Sequence, residues 1–435
     1  MGSKFLLTRR TALIAGVAAT FAAGCSRQTE QAAATPAGQA LAFRNIRYGQ
    51  AERFGQTELV PFTEDLIKTE RGPISPQRPS RLAISMGPQS PNAQDEHCQV
   101  LSVFTPSREG SRPVLVFLHG GAFVSGGGEL TWYDGDKMAA EQDIVVVPVT
   151  YRLGALGFWL PEGSTGLSPA FSDQVAALQW VQENIAKFGG DPTNVTLAGQ
   201  SAGAGSARVL TEWGYGQKLF HRIMPMSGGG GDAGTTRAGL EAHSRRFDAL
   251  LGADPRAASV EALLEAQTNL STASATTPAG WRPAPPDQPA AINVDVVTGW
   301  TREDPSGHML LAQGKTPTPG TPLEPFREAV KANAAATTAY ARRAVEAGRT
   351  AYLYSFDWNG PDTGLGNCHC IDLAFLFGDR AAWEQAPMLA GVDWDEFDRM
   401  GRSMRAQWAS FARSGSPGAG WQPVTTQAAP VNSLV

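Results

Sequence analysis

The stretch that decides the fold is DQVAALQWVQENIAKFGGDPTNVTLAGQSAG, residues 173–203. Between Phe171 and Phe188, apolar residues fall at Val175, Leu178, Val181, Ile185 and Phe188, steps of three and four that give one helical face. Gly189-Gly190-Asp191-Pro192 follows, residues that cannot continue a helix. Val195-Thr196-Leu197 then reads as a short strand running straight into Gly199-Gln200-Ser201-Ala202-Gly203. A serine in a Gly-x-Ser-x-Gly frame between strand and helix predicts a sharp turn that lifts the hydroxyl above the edge of a sheet. The glycines let strand and helix approach without side-chain clashes. A serine hydroxyl is a poor nucleophile without a base beside it and donors for the oxyanion it creates. The remaining chain must supply both.

Upstream, Val114 to Leu118 and Ile144 to Val149 are continuous apolar runs, as expected of strands buried on both faces of a largely parallel sheet. His119-Gly120-Gly121-Ala122-Phe123 follows the first run. Small residues here leave backbone N–H groups able to face an oxyanion, together with the N–H of Ala202. The alternative is a plain glycine-rich turn. Downstream, strands are predicted at Arg222 to Met226, Val294 to Thr298 and Ala351 to Phe356, with a late amphipathic helix carrying Phe397, Met400, Met404, Trp408 and Phe411. Strands alternating with helices predict an α/β fold, a mostly parallel central sheet flanked by helices. Residues 41 to 106 read as irregular with short strand candidates, and residues 271–290 and 312–324 as loops over one end of the sheet. Residues 41–435 are assigned to a single domain.

The motif resembles the turn of α/β-hydrolases, in which nucleophile, acid and histidine follow in that order. Of six histidines, His97 and His119 precede Ser201, while His221 and His243 leave little room for an intervening strand with an acid. His308 lies too close to the acid candidates, and His369, after the strand 351–356 and a turn at Asn359-Gly360-Pro361-Asp362, remains as the base. The acid is Glu303 or Asp304, both just beyond the strand 294–299; spacing does not choose between them.

Together these residues resemble type-B carboxylesterases, the family of para-nitrobenzyl esterases and cholinesterases. The likeness runs from about Phe43 to about Pro423. It is densest in HGGAF, in YRLGALGF (151–158), in residues 173–203 and in HCIDLAFLFG (369–378). It implies an α/β-hydrolase fold and hydrolysis of carboxylic esters through an acyl-enzyme. Ser201 would be the nucleophile, His369 the base, and Gly121, Ala122 and Ala202 the oxyanion donors. It favours Asp304 over Glu303, although Asp stands where the family has Glu. Asp372 and Ser227 match family positions behind the triad. Gln200 replaces the glutamate of the usual GESAG, removing a charge. Ser75 stands where many members carry a cysteine paired with the position of Cys98, so Cys98 is expected to be a free thiol. The chain is short between Ser227 and His369, which implies a reduced cap and gorge. Residues 76–97 lack the tryptophan that a choline substrate would use. The same machinery would serve thioesters or lipids. A non-catalytic binding relative would be expected to lack part of the triad.

Composition fits an enzyme of small molecules. The chain has 435 residues, 42% hydrophobic and 18% charged, with a formal net charge of −5 and no long single-sign run, which argues against a nucleic-acid partner. Cys368 and Cys370 flank His369 without a fourth ligand in view, so no metal and no cofactor are expected. The first residues read as an export signal. Arg9-Arg10 precede an apolar run from Ala12 to Ala23, too short for a stable membrane span, and resemble a twin-arginine signal. Ala22-Ala23-Gly24-Cys25 resembles a bacterial lipobox, with Cys25 as the acylated residue. Residues 1–25 are therefore assigned to export and residues 26–40 to a flexible tether. The expected place is the periplasm or cell envelope, with membrane contact through the lipid alone.

Overall fold

The structure, a computed structural model, describes residues 39–228, 236–273 and 280–434. In chain order its strands are β1 (Leu41–Arg47), β2 (Gly49–Gln50), β3 (Glu58–Leu59), β4 (Val100–Thr105), β5 (Arg112–Leu118), β6 (Val145–Val149), β7 (Gly190–Gln200), β8 (Arg222–Met226), β9 (Asp295–Thr301), β10 (Ala351–Phe356) and β11 (Val431–Leu434). β2 and β3 pair only with each other. The other nine form one sheet in the order β1-β4-β6-β5-β7-β8-β9-β10-β11. β4 runs antiparallel to both β1 and β6. From β6 to β11 every neighbouring pair is parallel.

The apolar runs behave as a two-faced sheet requires. Val114, Val116 and Leu118 of β5 pack on one side with Leu178, Trp180 and Val181, while Leu115 and Phe117 pack on the other with Phe377 and Trp408. That period of two lets a continuous apolar strand serve two layers of helices. The helix Pro169–Asn184 starts with proline at its first position and runs on into a 3-10 turn, Ile185–Phe188. Gly189 closes it at φ 75°, a conformation that costs glycine little. The late helix, Trp394–Ser414, buries Phe397, Met404, Trp408 and Phe411; Met400 stays half-buried.

Three expectations need correction. Residues 41–106 are not merely irregular, because β1 and the fully buried β4 extend the sheet with an antiparallel edge. Helices at Arg237–Leu251, Val260–Ala273 and Glu324–Glu346 arose without a predicted counterpart. The two loops do not share one end of the sheet. Ala284 O accepts from Trp213 Nε1, and Ala290 N donates to Glu212 O, at the far end of the helix Ala202–Glu212. Thr318 instead lies against Gly364, beyond the C-terminal end of β10. Cys25, the export signal and residues 26–38 lie outside the described residues. Among the described residues, no helix is long and apolar enough to cross a membrane.

Candidate active site

β7 ends at Gln200, and Ser201 sits between it and the helix Ala202–Glu212 at φ 56°, ψ −117°. That conformation costs a non-glycine residue about 1–3 kcal/mol and needs surroundings that enforce it. They do so by contact: a Cβ added to Gly203 would lie 1.9 Å from Leu118 O, and one on Gly199 would lie 2.4 Å from the carbonyl carbon of Gly203. Ser201 N donates to Met226 O at 2.9 Å, which ties the turn to β8.

The glycine-rich loop lies directly alongside. A Cβ on Gly120 would meet Gln200 Oε1 at 2.7 Å and Ser201 Cβ at 3.1 Å. Gly121, Ala122 and Phe123 all have positive φ, at 116°, 55° and 61°. Val124 N and Ser125 N both donate to Gly121 O at 3.0 Å, so the loop folds back on itself. Among the described residues, no acceptor meets the N–H of Gly121 or Ala122. The N–H of Ala202 opens a helix, where the first amides have no partner within the helix. His119 braces the loop: its ring stacks on Tyr151 at 4.3 Å, and Tyr151 donates to His119 O at 2.6 Å. Burial holds the His119 imidazole down at about 4, so it is neutral.

The other half comes from the loops after β9 and β10. His369 Nδ1 lies 2.9 Å from Asp304 Oδ1, and His369 N donates to Asp304 O at 2.9 Å. Asp304 Oδ2 lies 3.2 Å from Thr301 Oγ1. Glu303, adjacent in sequence, is fully buried and faces elsewhere. It accepts from Asn367 N at 2.8 Å and from Arg327 Nε at 2.6 Å, which pins the loop two residues before His369. The two carboxylates thus divide between holding the imidazole and holding its loop. With Nδ1 protonated toward Asp304, the lone pair of His369 Nε2 faces the turn, where the Gln200 amide nitrogen lies at 3.2 Å.

Burial works against every charge in this cluster, yet the partners reverse its effect for two groups. Asp304 is desolvated, but His369 and hydrogen bonds from His369, Ser227 and Thr301 hold its carboxyl below the ordinary value. His369 is equally desolvated, but the charge and hydrogen bond of Asp304, aided by Asp372, raise its pKa above the ordinary imidazole value. At Asp372 burial prevails over the opposing pull of His369, a backbone amide and Tyr354. Burial and the nearby Asp304 push it up to about 7, with Tyr354 OH 3.4 Å from Oδ2 and no partner on Oδ1. Ser227 stands at φ 49° close to Asp304; no partner meets its hydroxyl at full hydrogen-bonding geometry.

The flanking cysteines point apart. Cys370 Sγ donates to Gln200 Oε1 at 3.4 Å, and Cys368 Sγ lies 3.7 Å from Met388 Sδ. Cys98 is a free buried thiol beside Ser75, whose hydroxyl accepts from Leu153 N at 3.1 Å. Sequence reasoning missed one neighbour. His308 was set aside as a base, but its ring lies 5.0 Å from that of His369. The four-residue step from Asp304 into the helix Ser306–Ala312 was the available signal, since a helical turn brings such positions together.

A sequence profile of the carboxylesterase family matches residues 26–284, a span that contains the glycine loop and the turn at Ser201 but not His369. A probable N-octanoylanthranilate hydrolase of Rhodococcus erythropolis is 34% identical over 419 residues, 87% of this chain and 90% of that protein. The phenmedipham hydrolase of Pseudarthrobacter oxydans is 30% identical over 397 residues, 80% of each. A solved para-nitrobenzyl esterase structure superposes with a TM-score of 0.77 at 25% identity, covering 91% of this chain and 92% of that one. The chain belongs to the carboxylesterase family, with its α/β-hydrolase fold, and is a carboxylic ester hydrolase.

Proposed function

We propose that Ser201 is the nucleophile of an acyl-transfer cycle in which His369 is the base and Asp304 its acid. His369 takes the Ser201 proton through Nε2, and the hydroxyl oxygen attacks the ester carbonyl. The oxyanion is received by the N–H groups of Gly121, Ala122 and Ala202. Collapse of the tetrahedral intermediate breaks the bond to the alcohol, which leaves with the proton from His369. Water then repeats the sequence on the acyl-enzyme and releases the acid. Asp304 stays ionised throughout, fixing the tautomer and stabilising the imidazolium. Ser227 and Asp372 act on the triad from behind, and Gln200 acts from the turn, beside His369 Nε2.

The observation that carries this reading is the bridge made by one imidazole. Its Nδ1 rests on Asp304 and its Nε2 reaches the residue that precedes Ser201. In a Ser201→Ala variant, hydrolysis of p-nitrophenyl acetate is expected to fall by about 10⁴-fold or more. Turnover at the wild-type rate refutes the assignment. Two relatives are named for N-octanoylanthranilate and phenmedipham, and both compounds belong on the first substrate panel.

For the N-terminus, we infer export and acylation at Cys25, with residence in the periplasm or cell envelope. The support is sequence alone: Arg9-Arg10, the short apolar run and Ala22-Ala23-Gly24-Cys25. The mass of the mature N-terminal peptide is the test, and an unmodified Cys25 would contradict it.

A further inference from the structure

Arg81 is an exposed cation without a counter-charge among the described residues. It stands two residues before the short helix Ala83–Met86, and its neighbours in sequence touch two parts of the catalytic machinery. On one side, Ser125 Oγ meets Ser80 Oγ at 3.3 Å, and Ser125 N is bonded to Gly121 O in the oxyanion loop. On the other, a Cβ on Gly307 would lie 3.7 Å from Ile84 Cγ2 and 3.9 Å from Ser85 Cβ, so the Ala83–Met86 helix rests beside His308. Nearby arginines have carboxylate partners: Arg78 with Glu261 at 2.6 Å, and Arg71 with Asp134. Arg81 is exposed, and among the described residues it makes no hydrogen bond, ion pair or ring contact.

Its charge nonetheless reaches the site. His308 keeps an exposed edge, but the protein around its ring, with His369 and Arg81, holds its pKa down to about 4. A neutral imidazole therefore lies beside His369, within the field of the unpaired Arg81 guanidinium. In acyl transfer the base returns its proton to the departing oxygen, so groups gathered round His369 face the leaving alcohol rather than the acyl chain. A guanidinium presents a planar fork of donors that matches a carboxylate in two parallel hydrogen bonds.

We propose that the preferred substrates are esters whose leaving alcohol or phenol carries a carboxylate, received by Arg81 with His308 beside it. This rests on the Ser201 cycle proposed above and adds the substrate class. The test compares 4-acetoxybenzoate with its neutral methyl ester and uses the ratio of their kcat/KM values, so that intrinsic reactivity cancels between variants. Arg81→Gln lowers the charged-to-neutral ratio by about tenfold, the size of one charge-assisted hydrogen bond, mainly through KM. Arg81→Glu lowers it further. Arg245→Gln, on the exposed face of the helix Arg237–Leu251, leaves the ratio unchanged and controls for net charge. A ratio that stays at the wild-type value in both Arg81 variants, or falls equally in Arg245→Gln, overturns the proposal while leaving the Ser201 cycle standing. Cleavage of both esters at the wild-type rate in Ser201→Ala sinks that cycle, and this inference with it.

Discussion

The two halves of the site are built in different ways. The nucleophile half is nearly continuous: Ser201 is positioned mainly by residues a few places away in sequence, with close contacts from the end of β5 and the glycine loop after it and one tie to β8. The constraints on it are chiefly steric, as the missing Cβ atoms of Gly199 and Gly203 show, with the hydrogen bond from Ser201 N to Met226 O as the polar exception. The acid–base half is assembled from two loops, and what holds it is polar. Asp304 takes the imidazole, while Glu303, Asn367 and Arg327 hold the loop that delivers it. Steric positioning tolerates no added atom. Polar positioning tolerates isosteric change only where the lost charge is not the one that acts.

The largest effect expected from that contrast separates the neighbouring carboxylates. Asp304→Asn removes the charge facing the imidazole and should lower kcat by about 10⁴-fold with little change in melting temperature. Glu303→Gln weakens the brace on the His369 loop. It should cost about 1–3 kcal/mol of stability, discounted because Arg302 and Arg327 are partly exposed, while kcat stays within roughly tenfold. Thermal melts and kcat measured side by side decide it, and the reverse ordering would make Glu303 the acid.

A smaller effect tests the seam between the halves. His369 must be unprotonated to accept the serine proton, so kcat/KM rises with pH through the His369 pKa, which lies above the ordinary imidazole value. Gln200→Glu places a carboxylate where an amide now lies 3.2 Å from Nε2. It favours imidazolium and should move the acid limb to higher pH. Asp372→Asn removes a negative charge from the other side and should move that limb lower. Each shift is expected to be about half a pH unit to one pH unit. Limbs that move together, or in the opposite sense, would break the picture of one imidazole shared between turn and loops.

The same contrast explains what could be read from the chain. The turn at Ser201 was legible because its parts are consecutive: helix period, breaker, strand and glycine frame lie within residues 173–203. His369 was legible by chain order. The choice between Glu303 and Asp304 was not legible from spacing, because it depends on which way adjacent side chains leave a loop, and family likeness had to tip it. Nearness in sequence to Asp304 argues against His308 as the base, yet that same nearness brings its ring beside His369. The edge formed by β1 and β4 was hidden in a segment whose prolines and arginines mask the buried run Val100–Thr105. The helices Arg237–Leu251 and Glu324–Glu346 leave a weaker trace in the sequence, since neither adjoins a motif that marks its ends.

The claim on which all of this depends is that the hydroxyl at 201 is activated by the imidazole at 369. Mass spectrometry after treatment with a fluorophosphonate probe reads it directly. The wild-type enzyme should carry one adduct, on the peptide containing Ser201, and His369→Ala should abolish it while the protein remains folded. Labelling at another serine, or undiminished labelling of Ser201 without the imidazole, would contradict the account.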